Sequence, residues 1–308
     1  MDPYLPDLHE NEPRRRGAGM WLGLLFILAC MFAVFSGRTQ EFQDAVTYLA
    51  EHIGKKSVPE RPVQVTLSAT ELDARLTNMT TQAQAELLLS EAIKGSSVAL
   101  EQISARSEAW RGGIKETPQL APLLHTAWDA DDLRVRTASL DVYLALYGVA
   151  KNTTSISMLE QRVAAEPEAR PWALWMLGAL GNRGIEPIGV LREDLQYIND
   201  PNEETRMWVV ESLATLGTTD AIDPLIETLR TDRSARVREY AARGLGDGGM
   251  FTREQRQSAI PRLIDMVADP ALDQATRGWV LHSLRDITGT DQGADPQAWR
   301  KWWEQHRS

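Results

Sequence analysis

ETRMWVVESLATLGTTDAIDPLIETLRTD, residues 204–232, is followed almost at once by ARVREYAARGLGDGG, residues 235–249. Each holds an arginine followed eleven residues later by a glycine, Arg206 with Gly217 and Arg238 with Gly249. Working outward, the mark recurs at a spacing of eleven or twelve as Arg136 with Gly148, Arg170 with Gly181 and Arg277 with Gly289, so that successive arginines stand 34, 36, 32 and 39 residues apart. A second mark falls between them, an isoleucine or leucine shortly before a proline: Leu120-Ala-Pro122, Ile185-Glu-Pro187, Ile222-Asp-Pro224 and Ile260-Pro261. Proline is tolerated in a first helical turn, where its missing N–H leaves no intrahelical bond unmade. Each unit therefore reads as helix, glycine stop, proline start, helix. A single helix pair cannot bury both its apolar faces, so units of this length stack into a continuous core.

The Asp-Pro start, the Val-Arg pair, the Ala-Leu-Gly and the Ile-Pro-x-Leu of these copies resemble HEAT repeats of the short bacterial type first described in phycobilisome lyases. The resemblance covers residues 117–290 and extends in degenerate form over 68–116. Leu144, Ala214 and Arg285 depart from it, standing where Gly178 and Gly246 hold the family glycine, and the loop from Asp247 to Gln257 is lengthened. The fold it implies is all-α, a right-handed α-solenoid of HEAT-like helix pairs. Ser68 is placed to cap a first helix through Leu72 and Leu76, and Thr80 or Thr81 a second through Ile93. Residues 291–308 are similar to a tail that follows many bacterial HEAT arrays: Asp295-Pro296 starts a helix that brings Trp299, Trp302 and Trp303 to one side. This helix is either a lid over the last repeat or a partner-binding aromatic patch.

Two rows cross the units at fixed phase. Two residues after each arginine stand Ala138, Trp172, Trp208, Tyr240 and Trp279, which either fill the seams between neighbouring first helices or form a ladder on which a ligand stacks. The resemblance implies that the arginines themselves tie units together through aspartates such as Asp200 and Asp232, each six residues before its arginine. An aligned unpaired row of cations would be costly. The rival reading gives Arg170, Arg206, Arg238 and Arg277 to a partner.

Ahead of the repeats, Gly17–Gly37 carries no charged residue and is long enough, at about 1.5 Å per residue, to span a hydrocarbon core of about 30 Å. Arg14, Arg15 and Arg16 precede it and only Arg38 follows within fifteen positions, so residues 1–16 read as a cytoplasmic tail and 17–37 as a single transmembrane helix. Two other readings stand beside it: a signal peptide cleaved after Ser36, and a lipobox at Ile27-Leu28-Ala29-Cys30. Residues 38–67 read as a stalk helix with Phe42, Val46, Leu49 and Ile53 on one face, a Pro-containing linker, and a short Val63, Val65, Leu67 alternation. Lys55 and Lys56 leave the reverse topology open when the window is widened.

The formal charge of -10 repels a polyphosphate backbone and speaks against nucleic-acid binding. The single cysteine, Cys30, excludes an intrachain disulfide and a multi-cysteine metal site. The five histidines are scattered, and no Walker loop or GxGxxG occurs, so neither a catalytic residue, a cofactor nor a small-molecule substrate is expected. Asp129, Asp131 and Asp132 match a calcium loop only in part and read as a helix start. The Gly246–Gly249 cluster reads as a turn. The expectation is a non-enzymatic scaffold or accessory subunit in the bacterial cytoplasmic membrane, with a periplasmic solenoid that binds other proteins of a membrane complex. The alternative, implied by the resemblance alone, is a lyase or cofactor-handling protein of the bilin-lyase type, with base excision from DNA behind it.

Overall fold

The computed structural model describes residues 67–307. The expected cytoplasmic tail, transmembrane helix, stalk and linker lie outside the described residues, as does the short alternation save Leu67, whose amide donates to Glu91 Oε2 at 3.0 Å. Among the described residues no helix is long and apolar enough to cross a membrane.

The described residues form fourteen α-helices and no strand: α1 (Ala69–Leu76), α2 (Thr81–Ile93), α3 (Ser97–Trp110), α4 (Leu120–Trp128), α5 (Leu133–Leu146), α6 (Thr153–Ala165), α7 (Arg170–Asn182), α8 (Pro187–Tyr197), α9 (Glu203–Leu216), α10 (Ile222–Thr231), α11 (Ala235–Arg243), α12 (Arg253–Ala268), α13 (Gln274–Thr288) and α14 (Pro296–His306). From α3 onward the odd-numbered helices pack successively on one another, making a central row that carries the five arginines. The even-numbered helices flank that row, and α10, α12 and α14 also touch in sequence. The closest pair is α7–α9 within the central row; between the rows, the closer pairs join a flanking helix to the central helix that follows it, as in α6–α7, α10–α11 and α12–α13. The repeat boundary thus falls before the proline-started helix, one helix away from the boundary the sequence marks suggest.

Burial explains the two rows. Every residue from Pro171 to Gly181 is buried in α7, and α5 and α9 are buried almost as completely. A helix apolar on every side belongs in an interior, and these three have neighbours on all sides. The flanking helix α10 is one-sided instead, burying Ile222, Leu225, Ile226 and Leu229 while Asp223, Glu227 and Arg230 face water. Close approach within the row needs small residues. A side chain on Gly178 would place its Cβ 2.5 Å from the Ser212 carbonyl oxygen, a backbone atom that cannot move aside.

Local signals set most helix ends. Ser68 caps α1 in a reciprocal capping box with Glu71, and Thr80 caps α2. Asp132 caps α5. Gly217 and Gly289 close α9 and α13 with left-handed backbone at φ 64° and 70°. Two of the five expected glycine stops differ. Gly181 stays inside α7, where its smallness admits Leu216, and the left-handed glycine comes later at Gly184. Gly249 is extended, because α11 ends in a π turn at Gly244–Gly248. Pro187 opens α8, and Pro122 and Pro224 lie in the first turns of α4 and α10. Pro261 does not open α12 as its spacing implies. A Thr252–Gln255 capping box starts that helix at Arg253, so part of the lengthened loop is helical and the proline lies in its interior.

Candidate functional site

The central-row arginines form a ladder with a consistent rule. Arg206 clamps Asp232 through Nε to Oδ2 at 2.8 Å and Nη2 to Oδ1 at 3.1 Å, and donates from Nη1 to the Asp200 carbonyl at 2.8 Å. Its pKa is raised, foremost by the hydrogen bond to Asp232. Arg238 donates to the Asp232 carbonyl at 2.7 Å, to Thr276 Oγ1 at 2.8 Å and to Asp273 Oδ2 at 3.2 Å. Arg170 donates to the Val163 carbonyl at 2.7 Å, lies 3.7 Å from Asp200 Oδ2 and stacks over Tyr197. Each of these arginines takes backbone carbonyls from the chain before its own helix and a carboxylate from the loop before the next central helix. The aspartate six residues upstream therefore gives its carboxylate to the preceding unit and only its carbonyl to its own arginine. Arg277, in the last unit, meets only the carbonyls of Val267, Asp269 and Leu272.

Arg136 departs from the ladder. It donates to the carbonyls of Asp247, at 2.8 Å, and Gly248, more than a hundred residues downstream. Burial and the nearby Arg256 push its pKa down to about 10.

Within the aromatic row Trp172, Trp208 and Tyr240 are buried and Trp279 is half-buried. Of the row, Trp172 packs edge to face with Tyr147 at 6.1 Å, and beside it Trp175, outside the row, does the same with Tyr143 and Trp128 at 5.1 and 5.8 Å. Such contacts fill an interior, each adding about 0.5–1.5 kcal/mol beyond burial.

Sequence reasoning missed a buried ionic knot. Asp141, on α5, accepts from Lys151 Nζ and Arg183 Nε, both at 2.9 Å on Oδ1, while Lys151 also donates to Ser107 Oγ at 2.9 Å. It joins α3, α5 and the end of α7. One cue was present, an aspartate in a run from Val135 to Ala145 that is otherwise largely apolar. Two further acids face the interior. Asp194 is fully buried on α8 facing Ser212 of α9, and burial, which that hydroxyl only partly offsets, pushes its pKa well above the usual carboxylate range. Glu211 on α9 is raised to about 7 by burial, with Arg243 opposing.

The outward face of the flanking row offers a different chemistry. Met158, Ile188 and Leu195 are the large apolar side chains left exposed among the described residues, Ile188 to 69%. They lie on the consecutive flanking helices α6 and α8. Leu195 also lines a cleft of about 440 Å³ between α8 and α10, whose wall includes Ile198, Pro224 and the Arg206–Asp232 pair. Ile188 follows Glu186, the one non-glycine residue with left-handed backbone among the described residues, at φ 47°. Left-handed backbone costs a residue with a Cβ about 1–2 kcal/mol, so the approach to α8 is held in a strained shape.

At the C-terminus Trp299 is fully buried, donates from Nε1 to the Gly293 carbonyl at 2.9 Å, and sits where α14 packs on α12. Trp302 and Trp303 stay half-buried, with Trp302 stacked on His306 at 4.5 Å. Of the seven residues proposed for partner contact, Arg170, Arg206, Arg238 and Arg277 hold acceptors within the fold and Trp299 is buried, which leaves Trp302 and Trp303 partly open. Among the described residues no three His, Cys, Asp or Glu side chains converge as a metal site.

No curated protein matches the chain. Residues 156–246 match the family model described as HEAT repeats. That stretch runs from α6 to the π turn after α11 and contains the Arg206–Asp232 clamp and the tightest central packing. Over those residues the stacked helices α6–α11 fit that match, and the described helices on either side continue the same stacking.

Proposed function

We propose that this chain is a non-enzymatic interaction module, tethered to a membrane by residues 17–37, that holds a protein partner on the outward face of α6, α8 and α10. HEAT repeats generally serve protein–protein contact, and one observation carries the choice of face. Two of the three exposed large apolar side chains lie on α8, where Leu195 lines a cleft, and the third on the flanking helix before it, while the ladder arginines and three of the four ring-bearing row positions are used inside the fold. Interface cores are poor in charge and rich in such side chains. The uncharged Gly17–Gly37 run and Arg14–Arg16 support the tether, with the N-terminus inside a bacterial cytoplasmic membrane and the array outside. A tether concentrates the array at the surface, so weak contacts suffice.

The test is photo-crosslinking in native membranes, with a reactive residue at Ile188 in one strain and at the exposed Glu101 of α3 in another. A discrete partner band from position 188 and none from 101 is the expected result. Equal labelling from both, or only the monomer from both, removes this face from consideration. Intact mass and reporter fusions after Ser308 test the tether separately: loss of about thirty residues, added lipid mass, or a cytoplasmic reporter would each overturn it as described.

A further inference from the structure

The segment after α11 departs from the repeat plan while still giving Leu245, Met250 and Phe251 to the core. Residues Gly244–Phe251, GLGDGGMF, leave α11 through a π turn, with Gly246 at φ −74° and ψ −119°. The chain then lies on α9, where the Met250 amide donates to the Ala214 carbonyl at 2.8 Å and Met250 and Phe251 are buried. Four carbonyls within five residues point at two guanidinium groups. Those of Asp247 and Gly248 accept from Arg136 of α5, and those of Gly249 and Phe251 accept from Arg256 of α12 at 3.4 and 3.1 Å.

Glycine makes this crowded path possible, since a Cβ on Gly249 would fall 2.2 Å from the Gly244 carbonyl oxygen. Glycine also makes it expensive to hold, because a glycine backbone loses more freedom on ordering than any other. Four of the eight residues are glycine. Outside attachments must therefore keep the segment in place, and Arg136 supplies the most distant of them. That arginine is buried, with its Nε unpartnered and its guanidinium 5.9 Å from the Trp128 ring. The acceptors that the segment itself offers to both arginines are uncharged backbone carbonyls. Such bonds are weaker than the charge-paired clamps of the ladder. The tip, Asp247 and Gly248, is exposed to solvent.

We propose that residues 244–251 are a strap with Arg136 as its latch, and that the strap opens as a unit while the helices beneath stay folded. Opening uncovers the Arg136–Trp128 corner and the C-terminal end of α9, so the strap governs access to a face of the central row that the closed form hides. The inference goes beyond the partner reading and is tested on the protein alone.

Hydrogen exchange of the full-length protein reads it directly, with the Met250 amide as reporter and the amides of α5, α9 and α12 as controls. In the wild type, Met250 should exchange through an opening that 0–1 M urea leaves unchanged, the mark of a local event rather than unfolding. In Arg136→Ala its exchange should rise by about tenfold or more, as expected on losing two bonds to a charged donor, with Arg136→Lys in between and the control amides unchanged. Unchanged Met250 exchange in Arg136→Ala would show that the arginine is no latch. Faster exchange spread equally over α5 and α9, or a urea-sensitive Met250 in the wild type, would show that the segment moves only with the core.

Discussion

Replacing Asp232 with alanine separates a buried clamp from an exposed one by magnitude. The Arg206 and Asp232 side chains are 3% and 6% exposed, and two bonds join them. Removing the carboxylate leaves a buried guanidinium with only the carbonyls of Asp200 and Pro201, a loss of about 3–5 kcal/mol. Asp232 also accepts from the Ser234 amide at 2.7 Å, so part of the cost is local to the start of α11. Asp273 is the matched control. It pairs with Arg238 at 3.2 Å but is 52% exposed, and it caps α13 through the Thr276 amide. An exposed pair contributes at most about 1 kcal/mol and a cap about 1, so Asp273→Ala should cost about 1–2 kcal/mol. At about 2–4 °C per kcal/mol for a body of this size, the melting temperature should fall by roughly 6–20 °C for Asp232→Ala and by roughly 2–8 °C for Asp273→Ala. Differential scanning calorimetry of both variants with the wild type reads this directly. Equal losses, or a larger loss at Asp273, would refute the claim that burial ranks the rungs.

Three further outcomes follow from the interior. Asp194 and Glu211 have folded-state pKa values above their ordinary ones, so the stability they contribute is complete below the ordinary carboxylate pKa and is lost as pH rises, through about 7 for Glu211. The urea midpoint of the wild type should therefore decline from pH 5 to 8, with a shallower decline in Asp194→Asn and in Glu211→Gln; identical slopes in all three would contradict it. Gly178→Ala should cost about 1–3 kcal/mol, because its new methyl meets the Ser212 backbone, and a neutral melting shift would show that α7 and α9 can separate freely. Trp299→Ala should cost about 3–5 kcal/mol and loosen α12, read by exchange of its amides; intact α12 protection would mean that α14 is not a lid.

Much of this architecture was legible from residue types at fixed spacing, and the misses share a physical cause. Helix starts were visible where a side chain caps its own backbone, as Ser68, Thr80 and Asp295 do, because that chemistry is local. Pro261 misled because its cue is equally local, while the competing Thr252–Gln255 box lies nine residues upstream and was not weighed. The ladder was visible as a row, but its connectivity was not. Asp200 and Asp232 lie closer in sequence to their own arginines than to those they pair with, and only stacking decides the partner. Arg136 could not be read at all, since it occupies a ladder position and finds its acceptors 111 and 112 residues away. Exposure at Ile188 and Leu195 was hidden for a related reason, since an apolar residue on a helix carries no mark of which face remains uncovered.

The ladder also has a heading. Each rung reaches forward for a charged acceptor and back for neutral ones, so a unit is completed by its successor and never by its predecessor. A repeat inserted between Arg170 and Arg238 would join the series if it brought an aspartate to the start of its central helix, whereas Arg277 holds only carbonyls of its own chain. The charge-paired series therefore closes with the rung from Arg238 to Asp273, and a design that lengthens it must supply both a donor behind and an acid ahead.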